Sequence, residues 1–188
     1  FLDATAAPSL PGGIELDGTV VRLAQDRFLV TTPAFSQAKT HGQLRRVAAG
    51  KAAAVFDATA GLATIGVMGP NSRELLSRIS PADWSNDAQK YTQAREIEIA
   101  DGQALCLRVS FVGELGYELY PTADMAVNLH NAIVSAGKDL GLRHAGYFAL
   151  DTLRCEKGYR HLGHDIGPGD DPYESGLDFT ISKRKPVE

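Results

Sequence analysis

The sequence predicts an α+β fold, with antiparallel sheets and helices packed on them. Two patterns and one bound carry this. Short β-rich runs come in pairs joined by brief turns, and each pair is followed by apolar residues at helical spacing. The 188 residues, 44% of them hydrophobic, are enough to bury a core without staples.

The elements follow in order. Thr19 to Ala24 and Arg27 to Thr32 flank Gln25-Asp26 and read as a hairpin. Thr32 reads as an N-cap with Pro33 at the first helical position, opening a helix to about Arg46. Ala52 to Phe56 and Leu62 to Met68 read as a second strand pair around residues 57–61. Pro70-Asn71-Ser72 starts a helix in which Leu75, Leu76 and Ile79 recur on one side. Arg95 to Ile99 and Ala104 to Ser110 flank the turn Asp101-Gly102, and Tyr117 to Tyr120 is a further strand. Thr122 caps a helix carrying Met125, Leu129 and Ile133, ending near Gly137. Phe148 to Glu156 is the last helix, with Leu150 and Leu153 toward a core and Gly158 as its stop. From His161 to Gly176 the chain is rich in Gly, Pro and Asp, a long loop of the kind that often carries function. Phe179 to Ser182 reads as a strand, and the chain stops at Glu188 without a capping pattern, as though cut.

Composition removes several function classes. A formal charge of −4 is the wrong sign for a phosphate backbone, so no nucleic-acid partner is expected. No apolar run approaches the ~20 residues of a membrane span, and the opening residues show no signal peptide. Cys106 and Cys155 read as small buried hydrophobes of a reduced compartment. Dinucleotide, P-loop, zinc-ribbon and α/β-hydrolase fingerprints are missing. His161-Leu162-Gly163-His164-Asp165 has ligand-like spacing but no evident further ligand, so ordinary loop hydrogen bonding is the simpler reading and no metal is expected.

Four segments hold the candidate chemistry. Asp17, in Gly12-Gly13-Ile14-Glu15-Leu16-Asp17-Gly18-Thr19, stands at a strand entrance beside glycine, where the backbone can approach a ligand; read alone it is a turn aspartate. In Phe111-Val112-Gly113-Glu114-Leu115-Gly116-Tyr117-Glu118-Leu119-Tyr120, the glycines break a strand-like run, and Glu118 and Tyr120 share a face. Glu118 would serve there as a salt-bridge partner or as a ligand contact. Asp151 and Arg154 are helical neighbours that can pair with each other. Pro172-Tyr173-Glu174-Ser175-Gly176-Leu177-Asp178-Phe179 is loop, then strand.

Taken together, FVGELGYELY, ALDTLRCEKGYRHLGHDI and PYESGLDF resemble the folate-binding domain of the glycine-cleavage T-protein (aminomethyltransferase) family. The likeness spans nearly the whole chain and is nearest to the C-terminal regions of dimethylglycine and sarcosine dehydrogenases. It implies one folate-binding domain over residues 1–188, a fragment without the family's C-terminal barrel. It implies tetrahydrofolate as cofactor, with FAD only in a separate upstream flavin dehydrogenase domain. The implied activity is aminomethyl or methylene transfer from a small amine-derived one-carbon donor, in the cytoplasm or, in a eukaryote, the mitochondrial matrix. A non-catalytic scaffold and a folate-dependent demethylase of another compound are the rival readings. By motif, Asp17 falls on the catalytic aspartate and Gly18 and Thr19 on flanking folate contacts. Glu118 falls on the carboxylate that grips the pterin, with Leu119 and Tyr120 beside it; Phe111, Phe179 and Arg154 fall on ligand-side positions. The two phenylalanines keep stacking area but lack the hydroxyl that tyrosine often supplies at the first of them. Lys183, Arg184 and Lys185 are a solvated charge run or a site for folate's glutamyl tail.

Overall fold

The computed structural model describes residues 2–4 and 12–181, with backbone only for the first three. The chain divides into two compact units, residues 57–159 and the segments on either side of them.

The flanking unit holds a three-stranded antiparallel sheet of β1 (Leu2–Ala4), β2 (Thr19–Arg22) and β3 (Phe28–Thr31), in the order β1-β2-β3. The predicted hairpin is β2–β3, pairing Thr19 with Thr31 and Arg22 with Phe28. A 3-10 turn (Ala34–Ser36) leads into helix α1 (Gln37–Ala48). Thr32 is not its cap. Pro33 has an extended backbone (ψ 141°) and so precedes the turn, while the Thr32 hydroxyl donates to the Pro33 carbonyl. The predicted strand at Phe179 is instead a 3-10 turn, Asp178–Thr180. The Thr180 and Ile181 N–H groups donate to Leu177 and Asp178, which leaves them unavailable to a sheet. Ser182 and Lys183 to Lys185 lie outside the described residues.

The central unit is a four-stranded antiparallel sheet, ordered β4-β7-β6-β5, built from β4 (Ile65–Met68), β5 (Ala94–Ile99), β6 (Gly102–Leu107) and β7 (Gly116–Pro121). Residues 52–56, expected to pair with β4, form no strand. Three successive alanines offer little bulk to a sheet, whereas β7 sets Tyr117 against Val67 and Leu119 against Ile65. The β5–β6 turn lies one residue earlier than predicted. Ile99 pairs with Gly102, and Ala100 and Asp101 both have positive φ (49° and 64°), the requirement of a two-residue type I′ turn.

One face of this sheet makes the core. Val67, Ile97, Ile99, Cys106, Tyr117 and Leu119 pack with Leu75 and Leu76 of α2 (Ser72–Ser77) and Leu129 and Ile133 of α3 (Ala126–Ala136). Trp84 meets Tyr117 edge-on, ring centroids 5.0 Å apart. The last helix, α4 (Tyr147–Glu156), departs from its expected orientation: Leu153 is exposed and the buried residue is Arg154. Cys155 on α4 is also exposed, whereas Cys106 is buried and its thiol is pushed up to about 12, chiefly by burial. Among the described residues no helix is long and apolar enough to cross a membrane.

The glycine-broken segment before β7 serves two purposes. Gly113 turns the chain in the left-handed region (φ 76°). Gly116 is a close approach: a Cβ there would overlap Met68 Sδ and lie 2.9 Å from Ser110 Cβ and 3.0 Å from the Val109 carbonyl oxygen. Gly116→Ala should therefore lower stability by about 1–3 kcal/mol, the usual cost of overpacking. A denaturant melt with an unchanged slope and midpoint would contradict this packing.

Candidate functional site

In the flanking unit, Asp17 sits one residue before Gly18 at the entrance to β2. It is half-buried, and that burial holds its carboxyl above the usual aspartate value. The charge of His161 and the Gly18 N–H pull the other way. Gly18 itself is buried, and a Cβ on it would come within 2.9 Å of the Thr31 carbonyl, so packing against β3 requires glycine there. Thr19 opens β2, paired with Thr31 on one side and Ala4 on the other. Glu15 is joined to Lys39 of α1 in an ion pair.

The long loop is fastened to this segment. The Ile14 N–H donates to the carbonyls of Gly167 (3.2 Å) and Asp170 (3.1 Å). The Pro168 carbonyl occupies the space that a Cβ on Gly13 would need. Ile14, Leu162 and Ile166 bury one another, with Leu177 against them. Phe179 is 77% exposed on its turn, leaving a ring face free for stacking.

In the central unit, Glu118 and Tyr120 share the sheet face opposite the core, as the alternation of β7 predicts. The Tyr120 hydroxyl donates to Glu118 Oε2 at 2.5 Å. Glu118 lies between Gly66 of β4 and Leu107 of β6, and the Met68 side chain reaches over Gly66, where a Cβ would lie 3.3 Å from Met68 Cε. Leu119 points to the other face and is fully buried in the core, so a ligand on the Glu118 side meets its backbone only.

Arg154, 2% exposed, is held in place by two kinds of acceptor. Its Nε and Nη2 donate to Asp151 Oδ1 (2.8 and 2.5 Å), which is the helical pair the spacing allows. Its Nη1 donates to the Tyr159 carbonyl at 2.9 Å. The Tyr159 ring stacks on Phe111, centroids 6.0 Å apart and planes 19° from parallel. Arg154 therefore reaches Phe111 through Tyr159, a residue the sequence reading passed over. The signal for it was its place directly after Gly158, whose positive φ (76°) ends α4 and turns the next side chain back.

Chemically, a carboxylate such as Glu118 can accept paired N–H bonds, and stacked rings such as Phe111 and Tyr159 present an apolar face. Among the described residues no three His, Cys, Asp or Glu side chains gather to hold an ion.

The fold and these motifs define an aminomethyltransferase-like domain, and the chain belongs to the GCVT N-terminal domain family, whose model matches residues 5–185. It is 72% identical over 174 residues to the 4-methylaminobutanoate oxidase (formaldehyde-forming) of Paenarthrobacter nicotinovorans, covering 93% of this chain and 21% of that protein. It is 40% identical over 133 residues to the mitochondrial sarcosine dehydrogenase of Homo sapiens, covering 71% of this chain and 14% of that protein. The crystal structure of glycine cleavage system aminomethyltransferase T from Bartonella henselae superposes with a TM-score of 0.81, covering 95% of this chain and 46% of that one at 23% identity. The resemblance drawn from the motifs thus holds for the family, for the α+β fold and for the kinship with sarcosine dehydrogenase. The chain spans about a fifth or less of the two relatives' length.

Proposed function

We propose that this domain carries out tetrahydrofolate-dependent one-carbon transfer within a larger flavin-dependent amine-oxidising protein. Tetrahydrofolate, when bound, supplies two nitrogens able to carry a carbon at the oxidation level of formaldehyde. Asp17 would serve as the proton acceptor and donor at the reacting nitrogen. Glu118, oriented by Tyr120, accepts the pterin's paired N–H groups. Phe111, backed by Tyr159, and the exposed Phe179 offer ring faces to the ligand. Gly18, Thr19, Leu119 and Arg154 contribute through backbone shape and packing. The whole makes catalysis mainly a matter of positioning.

The observation that carries this reading is the Asp17 carboxyl. A carboxyl half-buried at a strand entrance, with its proton affinity raised by burial, is poised for proton transfer rather than for a surface turn. It favours catalysis over a scaffold role. The relative named as a formaldehyde-forming oxidase of a methylamino acid favours a donor of that class: an N-methyl amino acid, oxidised at its methyl group by an FAD-bearing domain. Folate, if bound, would take up that carbon, which would otherwise hydrolyse to formaldehyde.

The test uses the intact protein turning over an N-methyl amino acid with and without tetrahydrofolate. Methylene-folate should appear at the expense of free formaldehyde, with amine oxidation largely unchanged. Calorimetry should show folate binding to the same protein. No binding heat at millimolar folate, with formaldehyde yield unaffected, would leave the scaffold reading.

A further inference from the structure

Asp17 is carried on a short stretch of chain just before a strand, since β2 begins two residues later at Thr19. Burial alternates along this stretch. Ile14, Leu16 and Gly18 are buried, whereas Glu15 and Asp17 lie toward the outside. A glycine pins it at either end. Gly18 packs on β3, where a Cβ would come within 2.9 Å of the Thr31 carbonyl oxygen. Gly13 packs on the long loop, where a Cβ would overlap the Pro168 carbonyl and lie 3.0 Å from Pro168 Cα. Gly13 is not among the residues with positive φ, so glycine is needed there for space and not for backbone freedom.

The surface that Gly13 meets is preformed. Gly167-Pro168-Gly169-Asp170 is a β-turn with proline at its second position, where the fixed φ of proline fits. The Asp170 N–H donates to the Gly167 carbonyl at 3.1 Å, and Asp170 Oδ2 accepts the Gly167 N–H at 2.8 Å. Closed in this way, the turn presents the carbonyls of Gly167 and Asp170 to the Ile14 N–H (3.2 and 3.1 Å). The side chains of Leu162 and Ile166 bury Ile14, which is 1% exposed. Backbone hydrogen bonds, an apolar cluster and a close approach thus fall on two consecutive residues, Gly13 and Ile14.

We infer that the 167–170 turn positions Asp17. Docked on Gly13 and Ile14, it fixes one end of the stretch while β3 fixes the other, and the carboxyl is held at a set point between them. This rests on Asp17 being the proton acceptor. Gly13, Ile14 and the turn act through Asp17, as positioning residues. The physical need is geometric. A proton acceptor works only within hydrogen-bond reach of the reacting group, and a misplacement of about 1 Å can cost roughly a hundredfold in rate. Held by β3 alone, the stretch would keep two soft dihedrals at every residue from Ile14 to Asp17.

The test compares three variants of the intact protein. Gly13→Ala places a methyl group where the Pro168 carbonyl lies, and Ile166→Ala removes apolar contact from the loop side without adding bulk. Gly169→Ala is the control, because a Cβ there meets nothing within 4 Å. The first readout needs no folate. Hydrogen exchange in peptides covering residues 12–19 and 161–172 should quicken by about tenfold or more in Gly13→Ala and Ile166→Ala, while residues 94–107 of the central unit keep wild-type protection. The second readout is methylene-folate formation at saturating folate. Its rate should fall by roughly tenfold to a hundredfold in both, with the folate dissociation constant within about threefold and amine oxidation unchanged. A general loss of structure would move all three together. Gly169→Ala should match the wild type throughout, and Ile166→Ala decides alone if Gly13→Ala does not fold. Exchange that neither variant alters, a loosened loop with undiminished transfer, or a defect in Gly169→Ala equal to that in Gly13→Ala would overturn the inference. The reading beneath it fails separately. Wild-type transfer by Asp17→Asn removes the proton acceptor, whereas transfer lost in Asp17→Asn but kept in a loosened Gly13→Ala removes only the positioning role.

Discussion

Asp17→Asn should leave folate affinity within about threefold of the wild type and lower the rate of methylene-folate formation by about a hundredfold or more, the usual contribution of general acid–base catalysis. The amide keeps the size and most of the hydrogen bonding of the carboxylate but cannot take up the proton. Stability offers a control. Burial raises the folded-state pKa of Asp17 above its unfolded value, so the folded protein holds a proton over a pH range in which the unfolded chain has lost it. Stability from this group is therefore greatest below the unfolded value and falls as pH rises through the folded one. At neutral pH the ionised, half-buried carboxylate is a net cost, and Asp17→Asn should be at least as stable as the wild type. Lost transfer in a protein of undiminished stability assigns the defect to chemistry. Wild-type transfer by the variant would remove Asp17 from the mechanism.

Glu118→Ala should act on binding. Deleting a charged hydrogen-bond partner from a shielded site costs about 1.5–3 kcal/mol, or roughly 10- to 150-fold in affinity. Tyr120→Phe separates the two functions of this pair. Without the phenol the carboxylate keeps its charge but loses the 2.5 Å hydrogen bond that orients it, so a smaller loss of about threefold to tenfold, ~0.7–1.4 kcal/mol, is expected. The measurements are folate dissociation constants for both variants in the intact protein. Normal binding by Glu118→Ala would move the pterin site away from β7.

The sequence by itself determined the strands and helices whose side chains alternate or recur against one core. The period-two pattern of β7 put Tyr117 and Leu119 on one face and Glu118 and Tyr120 on the other, which the structure reproduces. Helical spacing likewise located α2 and α3 by Leu75, Leu76, Leu129 and Ile133. The Asp151–Arg154 pair was legible because residues three apart are neighbours on a helix.

What depends on distant segments was left to the tertiary structure. Residues 52–56 resemble a strand locally but join no strand among the described residues, where β4 takes its apolar cross-strand neighbours from β7, about fifty residues away. Leu153 looks like a core residue, yet Arg154 is buried in its place, satisfied by Asp151 and by the Tyr159 carbonyl. The docking of the 161–166 turn against the segment that carries Asp17 could not be read from spacing at all. It follows from Ile14 taking its hydrogen bonds and its apolar contacts from a loop some 150 residues further on, and burial of that kind is a property of the folded chain.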